Sequence, residues 1–110
     1  GSEMCIRDSN SFTLCLVAGD RRASLNRIKK VLKIKDASMA SAEDVKKITG
    51  YTIGGVSPVG HLKNIEILID KSLSRFNLLF AAAGHPNCVF KIDFTNLNKI
   101  TNGVTEEITE

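Results

Sequence analysis

Aromatic residues are scarce in this sequence, which has five phenylalanines, one tyrosine and no tryptophan. Proteins that bind single-stranded nucleic acid use interleaved aromatic side chains to stack the bases, so the composition does not indicate that class of binding. The uncharged stretch before Lys91 is interrupted by Gly84 and Pro86. A helix that crosses a bilayer needs about 20 apolar residues, and this stretch therefore predicts no membrane-spanning helix.

Cysteine is present, but in a pattern that excludes two kinds of site. Cys5, Cys15 and Cys88 form neither an even set of disulfide partners nor a C-x-x-C metal-binding pair. Free thiols of this kind are typical of a reducing compartment. We therefore expect a cytoplasmic protein without a cysteine-based metal site.

The net charge is only slightly positive. Fifteen Lys and Arg residues against twelve Asp and Glu residues give +3, which suits an anionic partner but is low for a dedicated nucleic-acid-binding protein. Hydrophobic residues make up 43% of the chain and charged residues 25%, as in ordinary globular domains. At 110 residues the chain is expected to form one domain with one core.

Three segments are expected along the chain. Residues 1–9 follow neither the period of a strand nor that of a helix and resemble translated adaptor sequence. We interpret residues 1–11 as a non-native or disordered leader. Residues 12–103 carry the periodic patterns of a folded domain, and residues 104–110 are interpreted as a flexible tail.

The first half of the domain predicts a strand and two helices. A β-rich run over residues 12–18 predicts a largely buried strand. Ser24 and Ser41 are each placed to cap the N-terminus of an amphipathic helix. Gly50 is the expected C-terminal end of the second helix.

The second half predicts shorter elements. Strands are expected over residues 65–69, 78–83 and 89–92, with a break at Gly84 and the residues that follow it. Asp70 is expected to cap a short helical turn, and a last helix is expected to end near Asn102. Strands that alternate with short helices around one core indicate a mixed α/β fold.

A glycine-rich stretch, Tyr51-Thr-Ile-Gly-Gly-Val-Ser-Pro-Val-Gly60, follows the second helix. Its glycines and proline exclude regular helix. Glycines also let backbone N–H groups approach a ligand and donate to an oxygen that carries negative charge. The nucleotide-binding patterns Gly-x-Gly-x-x-Gly and Gly-Lys-Ser/Thr are absent. From these residues alone, a ligand-binding loop and a plain turn between a helix and a strand are both open.

Together with its neighbours, this stretch resembles a known family. Thr49-Gly-Tyr51 leads into Gly54-Gly-Val-Ser-Pro-Val-Gly60; Ala18-Gly-Asp-Arg-Arg22 precedes them, and Asp70-x-x-Leu73 and Ala83-Gly-His-Pro86 follow. In this order the motifs are similar to those of the YbaK-type aminoacyl-tRNA deacylases and of the editing domain in bacterial prolyl-tRNA synthetases. The resemblance covers about residues 12–102.

The resemblance implies a fold and a reaction. The fold is a curved mixed β-sheet, barrel-like, with short helices packed outside. The reaction is hydrolysis of the ester that joins a wrong amino acid to a tRNA, with water as the nucleophile and no metal or cofactor. The implied substrates are alanyl- or cysteinyl-tRNA for proline, edited in trans. Prolyl-tRNA synthetase is the candidate protein partner, and neither a membrane nor DNA is expected.

The resemblance also assigns roles to the two glycine motifs. The backbone amides of Gly54 and Gly55 are implied to steady the reacting ester, which makes these two the candidate catalytic residues. The pocket for the aminoacyl group and the terminal adenosine is implied to come from Val56, Ser57, Pro58, Gly60, Gly84 and His85.

Basic residues cluster between the first strand and the first helix and along that helix. Contacts with tRNA phosphates would account for Arg21, Arg22, Lys29 and Lys30. A solvated helix face would account for the same residues, and the sequence leaves both explanations open.

Two histidines and a cysteine also leave alternatives open. His85 is either a contact to the adenosine or the amino acid, or a solvent-facing turn residue. His61, directly after the glycine-rich stretch, is either a substrate contact or a surface residue. A nucleophilic Cys88 would need an orienting third group that the sequence does not show.

The sequence departs from the family where catalysis is concerned. Family members carry a functional lysine on a strand upstream of the Ala18-Gly-Asp-Arg-Arg22 motif; here residues 1–11 occupy that place, and the first lysine is Lys29. Some members carry an acidic residue after the second glycine turn, where this chain has Cys88-Val-Phe90. The alternative to a deacylase is therefore a catalytically impaired fragment or a module that binds aminoacyl-tRNA ends. A third alternative is a destabilised fragment that associates through exposed sheet edges.

Overall fold

The computed structural model describes residues 2–8, 11–63, 65–85 and 88–110. Three α-helices lie in this part of the chain, α1 (Leu25–Leu32), α2 (Ala42–Thr49) and α3 (Phe94–Thr101), with a 3-10 helix at Lys71–Arg75. The strands are β1 (Ser2–Asp8), β2 (Ser11–Val17), β3 (Ser38–Met39), β4 (Glu66–Asp70), β5 (Leu79–His85), β6 (Cys88–Ile92) and β7 (Val104–Glu106). Among the described residues no helix is long and apolar enough to cross a membrane.

Five of the described strands form one mixed sheet in the order β3-β1-β2-β4-β7. β1 pairs antiparallel with β2 and β3, whereas β2 with β4 and β4 with β7 are parallel pairs. β5 and β6 pair antiparallel as a separate two-stranded sheet. The predicted mixed α/β class is confirmed, although the five-stranded sheet has edges at β3 and β7 and is open rather than barrel-like.

The helix ends follow the predicted caps. The Ser24 hydroxyl accepts a hydrogen bond from the Arg27 amide at 3.2 Å, and the Ser41 hydroxyl accepts one from the Asp44 amide at 3.1 Å. Gly50 ends α2 with a φ of +85°, in the left-handed region that favours glycine. These local signals position α2 so that the glycine-rich stretch begins directly at its end.

The core lies on both faces of the five-stranded sheet because neighbouring residues of a strand point to opposite sides. Leu14 and Leu16 of β2 pack into one cluster, while Cys15 and Val17 of the same strand pack into the other. α1 covers the second cluster through Ile28. The first cluster also contains Val45 of α2, Val56, Leu79 of β5 and Leu97 of α3. The glycine-rich stretch is therefore anchored in the core through Val56.

Two segments that the sequence placed outside the domain take part in the sheet. The described part of the expected leader, residues 2–8, is the strand β1 rather than a disordered segment, and it pairs with β2 along its length. The interpretation of residues 104–110 as a flexible tail is wrong. Residues Val104–Glu106 form β7, and Ile108 is fully buried. A three-residue strand is too short to show a period in the sequence.

The expected break at Gly84 is also wrong in its position. β5 continues through Gly84 to His85, with an irregular register between Ala82 and His85. Gly84 has a φ of +94°, so the strand accommodates a glycine conformation as a bulge rather than ending there. Pro86 and Asn87, the rest of the expected break, lie outside the described residues.

Candidate functional site

The glycine-rich loop, residues 51–61, has a buried centre and exposed ends. Val56 is 2% exposed and Ser57 is 5% exposed, and Pro58 is fully buried. Gly54 and Gly60 are exposed and have φ angles of +88° and +75°. Because this left-handed conformation favours glycine, the two glycines turn the chain into the core and out again.

Two side chains brace this loop from within. The Tyr51 hydroxyl donates to the Val59 carbonyl at 2.9 Å and approaches the Gly60 carbonyl at 3.3 Å. The His61 ring nitrogen Nε2 lies 2.7 Å from the Ser57 carbonyl oxygen. A carbonyl oxygen only accepts, so Nε2 carries the hydrogen in this bond. His61 is thus a half-buried brace, which neither of the two interpretations from the sequence included.

The backbone amides of the loop divide into occupied and unoccupied donors. The Gly55 amide donates to the Thr52 carbonyl at 2.9 Å, which commits it to a turn. Within the described residues, the amides of Gly54, Val56 and Ser57 have no acceptor. The resemblance implies a catalytic role for Gly54 and Gly55. Of these two, only Gly54 has an amide that is available to a ligand, and the amides of Val56 and Ser57 are available as well.

The second glycine motif meets the first at Tyr51. A Cβ atom on Gly84 would lie 3.0 Å from Cε1 of the Tyr51 ring, and one on Gly60 would lie 2.7 Å from its hydroxyl oxygen. The structure thus brings Gly60 and Gly84 to one tyrosine side chain. His85, the other expected pocket residue from this motif, is described only by its backbone.

A small apolar cavity lies against the buried part of the loop. Its volume is about 30 Å³, and Val56 and Pro58 form its wall on the loop side. A cavity of this size holds about one water-sized group. The opposite walls come from β2, the 3-10 helix, β5 and α3, through Leu16, Leu73, Leu79 and Leu97.

The basic residues expected to contact tRNA lie on the turn after β2 and on α1, and not in the loop. Arg21, Arg22 and Lys30 are exposed, and Lys29 is half-buried. Arg21 borders a surface depression of about 480 Å³ together with Arg27 and Lys71, but also with acidic residues, Glu107 and Glu110. The positive charge here is therefore partly balanced by carboxylates on the C-terminal segment.

An ion pair fixes the turn that carries Arg21 and Arg22. The Arg75 guanidinium lies 2.5 Å from the Asp20 carboxylate, and this hydrogen bond lowers the pKa of Asp20 below its ordinary value. Both side chains are partly exposed, so the pair contributes little to stability. Its effect is to connect the turn after β2 with the 3-10 helix.

The buried thiol of Cys15 and the basic side chain of β1 are not available as a nucleophile or a base. Burial, and to a smaller extent the neighbouring Cys5, raises the pKa of the Cys15 thiol to about 12, so this thiol is inert at neutral pH. The only basic residue of β1, Arg7, lies 2.8 Å from the Asp44 carboxylate. In the described part of the chain, no group of His, Cys, Asp and Glu is arranged to hold a metal ion.

The contact between Tyr51 and Gly84 was not predicted from the sequence. Tyr51 lies inside the motif that carries the resemblance, but its contact with Gly84 joins residues on different elements, and no periodic pattern reports such a contact. The available signal was indirect: a lone tyrosine next to glycines that require positive φ.

Comparisons with known proteins identify a family. The family model for the aminoacyl-tRNA editing domain matches residues 3–100. The chain is 42% identical over 57 residues to a proline–tRNA ligase of Caldicellulosiruptor bescii, which covers 52% of this chain and 10% of that enzyme. It is 24% identical over 96 residues to EbsC of Enterococcus faecalis, a proposed Cys-tRNA(Pro)/Cys-tRNA(Cys) deacylase, covering 87% of this chain and 58% of that protein.

A solved structure has the same fold. A proposed trans-editing enzyme for prolyl-tRNA synthetase superposes with a TM-score of 0.95 at 27% identity, covering 99% of this chain and 69% of that one. The chain spans about a tenth of the synthetase's length and less than three fifths of EbsC.

Proposed function

Because the chain belongs to the aminoacyl-tRNA editing domain family, we propose that it is an aminoacyl-tRNA deacylase domain that hydrolyses the ester bond of mischarged tRNA. The observation that carries the proposal is the state of the loop donors. The amides of Gly54, Val56 and Ser57 have no acceptor within the described residues, although Val56 and Ser57 are buried. Buried N–H groups without an acceptor are costly, and a ligand oxygen would satisfy them.

These donors suit ester hydrolysis. When water attacks the ester carbonyl, negative charge develops on the carbonyl oxygen, and one preorganised donor lowers the barrier by about 3 kcal/mol. Preorganisation comes from the burial of Val56 and Pro58 and from the braces at Tyr51 and His61. In this proposal Gly54 supplies a donor and the turn geometry, while Gly55 supports the turn through its bond to Thr52.

We propose alanyl- or cysteinyl-tRNA for proline as the substrate. The cavity of about 30 Å³ beside Val56 and Pro58 suits a methyl or a thiol-bearing side chain and is small for the ring of proline. The names of the similar proteins, a proline–tRNA ligase and a proposed Cys-tRNA(Pro) deacylase, support the same substrates. Prolyl-tRNA synthetase is the proposed protein partner in the cytoplasm, and Arg21, Arg22, Lys29 and Lys30 are the proposed contacts to tRNA phosphates.

The test is hydrolysis of alanyl-, cysteinyl- and prolyl-tRNA for proline, each compared with its spontaneous rate. We expect this chain to accelerate the first two and not the third. Gly54→Ala should lower the rate about 100-fold, as loss of one oxyanion donor does, because a side chain at φ +88° is strained. Gly19→Ala is the control, since a Cβ atom there meets nothing within 4 Å. Equal rates for all three substrates would contradict the substrate proposal.

A second candidate function is binding of the aminoacyl end without hydrolysis. The observation that favours it is the engagement of Arg7, the basic residue of β1, by the Asp44 carboxylate at 2.8 Å. A non-hydrolysable alanyl-adenosine amide separates the two functions. Binding of this amide without acceleration of ester hydrolysis would establish the module, and neither binding nor acceleration would exclude both functions.

A further inference from the structure

The Tyr51 side chain lies between the Gly60 turn and the Gly84 bulge of β5 and contacts each with a different part of the side chain. Its hydroxyl oxygen is the atom that a Cβ on Gly60 would meet, at 2.7 Å. Its ring atom Cε1 is the atom that a Cβ on Gly84 would meet, at 3.0 Å. Both distances are shorter than ordinary van der Waals contact. The backbone at Gly60 and the backbone at Gly84 therefore both pack directly on the tyrosine, and only glycine allows this close approach.

The hydroxyl also holds the exit of the loop. It donates to the Val59 carbonyl at 2.9 Å and lies 3.3 Å from the Gly60 carbonyl. At its other end, Tyr51 is fixed by its own amide, which donates to the Thr49 hydroxyl at 3.0 Å. That hydroxyl is in turn bonded to the Val45 carbonyl of α2 at 2.7 Å. Tyr51 thus connects the end of α2 to the Gly60 turn and to the Gly84 bulge.

We infer that Tyr51 is a positioning residue, whose ring and hydroxyl set the spacing between the Gly60 turn and the Gly84 bulge and thereby orient the amides of Val56 and Ser57 toward the ester. This inference rests on the proposed function for its catalytic part. Its structural part, the contact of the hydroxyl with Gly60 and of the ring with Gly84, is testable without any substrate.

The structural part predicts a selective coupling in a double-mutant cycle. In Tyr51→Phe, a Cβ added at Gly60 would have the ring carbon Cζ as its nearest neighbour, at 3.9 Å, instead of the hydroxyl at 2.7 Å. Gly60→Ala should therefore change the unfolding equilibrium constant less in the Tyr51→Phe background than in the wild type, by about fivefold. Gly84→Ala is the matched control. Its contact, Cε1, is still present in Tyr51→Phe, so its effect should be the same in both backgrounds.

The catalytic part predicts a division between kcat and KM. Tyr51→Phe should lower kcat for alanyl-tRNA hydrolysis about 10-fold and leave KM within about twofold, because donors that are misplaced by a small distance act mainly on the transition state. Thr101→Val is the control, since it removes a hydroxyl that donates to a backbone carbonyl, that of Leu97, at 2.7 Å on α3. This variant should change neither parameter.

The outcomes separate this inference from the proposed function. If wild type neither hydrolyses alanyl-tRNA nor binds the alanyl-adenosine amide, the proposed function fails and the catalytic part falls with it, whereas the cycle still decides the structural part. If wild type binds without turnover, the catalytic part of the inference is wrong, and the double-mutant cycle decides the structural part. An active wild type with unchanged kcat in Tyr51→Phe, or equal coupling to Gly60 and Gly84, would overturn the inference.

Discussion

The loop at residues 51–61 and the junction around Asp70 use hydrogen bonds in opposite ways. At the junction, the Asp70 carboxylate is buried and accepts bonds from the Ser72 amide at 3.1 Å, the Ser72 hydroxyl, the Ile108 amide at 2.9 Å and the Thr109 hydroxyl at 3.3 Å. In the loop, the bracing groups of Tyr51 and His61 donate to carbonyls. The junction therefore consumes backbone donors, and the loop leaves them available.

The two regions differ in whether their backbone N–H groups are already paired within the chain. The Asp70 carboxylate accepts these bonds from two parts of the chain, three at Oδ2 and one at Oδ1, and it thereby connects the end of β4, the 3-10 helix and the C-terminal segment. Buried backbone N–H groups without an acceptor can donate to an anionic oxygen. The same fold thus contains a polar cluster whose groups are paired within the chain and a loop whose amides at Gly54, Val56 and Ser57 have no acceptor among the described residues.

The largest expected effect is on stability, from Asp70→Ala. Removing the carboxylate leaves the buried amide of Ile108 and the half-buried amide of Ser72 without an acceptor, and we expect a loss of about 3 kcal/mol in the free energy of unfolding. Urea denaturation measures this loss. Asp93→Ala is the matched control, because Asp93 caps α3 at the surface through the Asn96 amide at 2.7 Å; its loss should cost about 1 kcal/mol. Equal costs would show that the junction is no more than another helix cap.

The second prediction concerns how the free energy of unfolding changes at acid pH. Burial opposes ionisation of Asp70, but the bonds from Ser72, Ile108 and Thr109 together outweigh it and lower the pKa of the carboxyl below its ordinary 3.8. The unfolded chain then binds the proton more readily than the folded one. The stabilisation from Asp70 is complete above the ordinary pKa and is lost as the pH falls below it. The free energy of unfolding, measured from pH 6 to pH 2.5, should therefore fall less steeply in Asp70→Asn than in the wild type.

Parallel slopes for wild type and Asp70→Asn would contradict this assignment. Asp20 is the internal comparison, since its pKa is also lowered, by the hydrogen bond to Arg75. Asp20 is exposed, and solvent screens its ion pair. Asp20→Asn should therefore leave the acid dependence close to that of the wild type.

The third prediction compares the two regions directly. With both variants folded, Asp70→Asn should retain the wild-type kcat for alanyl-tRNA, because the junction has no donors for the ester. Gly60→Ala should lower kcat about 10-fold even where its stability is sufficient, because it displaces Tyr51 from the loop. Rates are normalised to the folded fraction from circular dichroism. The reverse pattern would assign the chemistry to the junction.

Much of the fold could be predicted because its signals are local. Ser24, Ser41 and Gly50 act within one turn of their helices, and the apolar alternation of β2 reports a strand with both faces buried. β7 could not be predicted, since three residues carry no period and their position depends on β4. The burial of Ile108 follows from Asp70, which is 38 residues away, and no local pattern contains that contact.

The candidate site, like the fold, could be predicted only in part from the sequence. The resemblance located the glycine-rich loop and the Gly84 motif, and the structure brings them together at Tyr51. The separate roles of Gly54 and Gly55 could not be predicted, because they depend on which amide the Thr52 carbonyl accepts. The position of the His61 ring is likewise a consequence of the loop path, which glycine spacing alone does not determine.

The smallest expected effect concerns tRNA affinity. The Arg22 carbonyl accepts the Glu110 amide at 2.9 Å, so Arg22 lies beside the C-terminal segment that the Asp70 junction holds. If this side of the molecule contacts phosphates as well as supporting the fold, Arg21→Gln combined with Arg22→Gln should weaken tRNA binding several-fold. The slope of log K against log salt should fall by about 2. Fluorescence anisotropy with uncharged tRNA for proline measures both.

A matched change of charge serves as the control for this measurement. Lys47→Gln combined with Lys99→Gln removes two positive charges from exposed positions on α2 and α3, and it lowers the net charge equally. If the two double variants weaken binding alike, tRNA responds only to net charge and the arginines are a solvated surface. If only the arginine variant lowers the salt slope, the turn held by Asp20 and Arg75 contacts the phosphates, and the junction side contributes to binding as well as to stability.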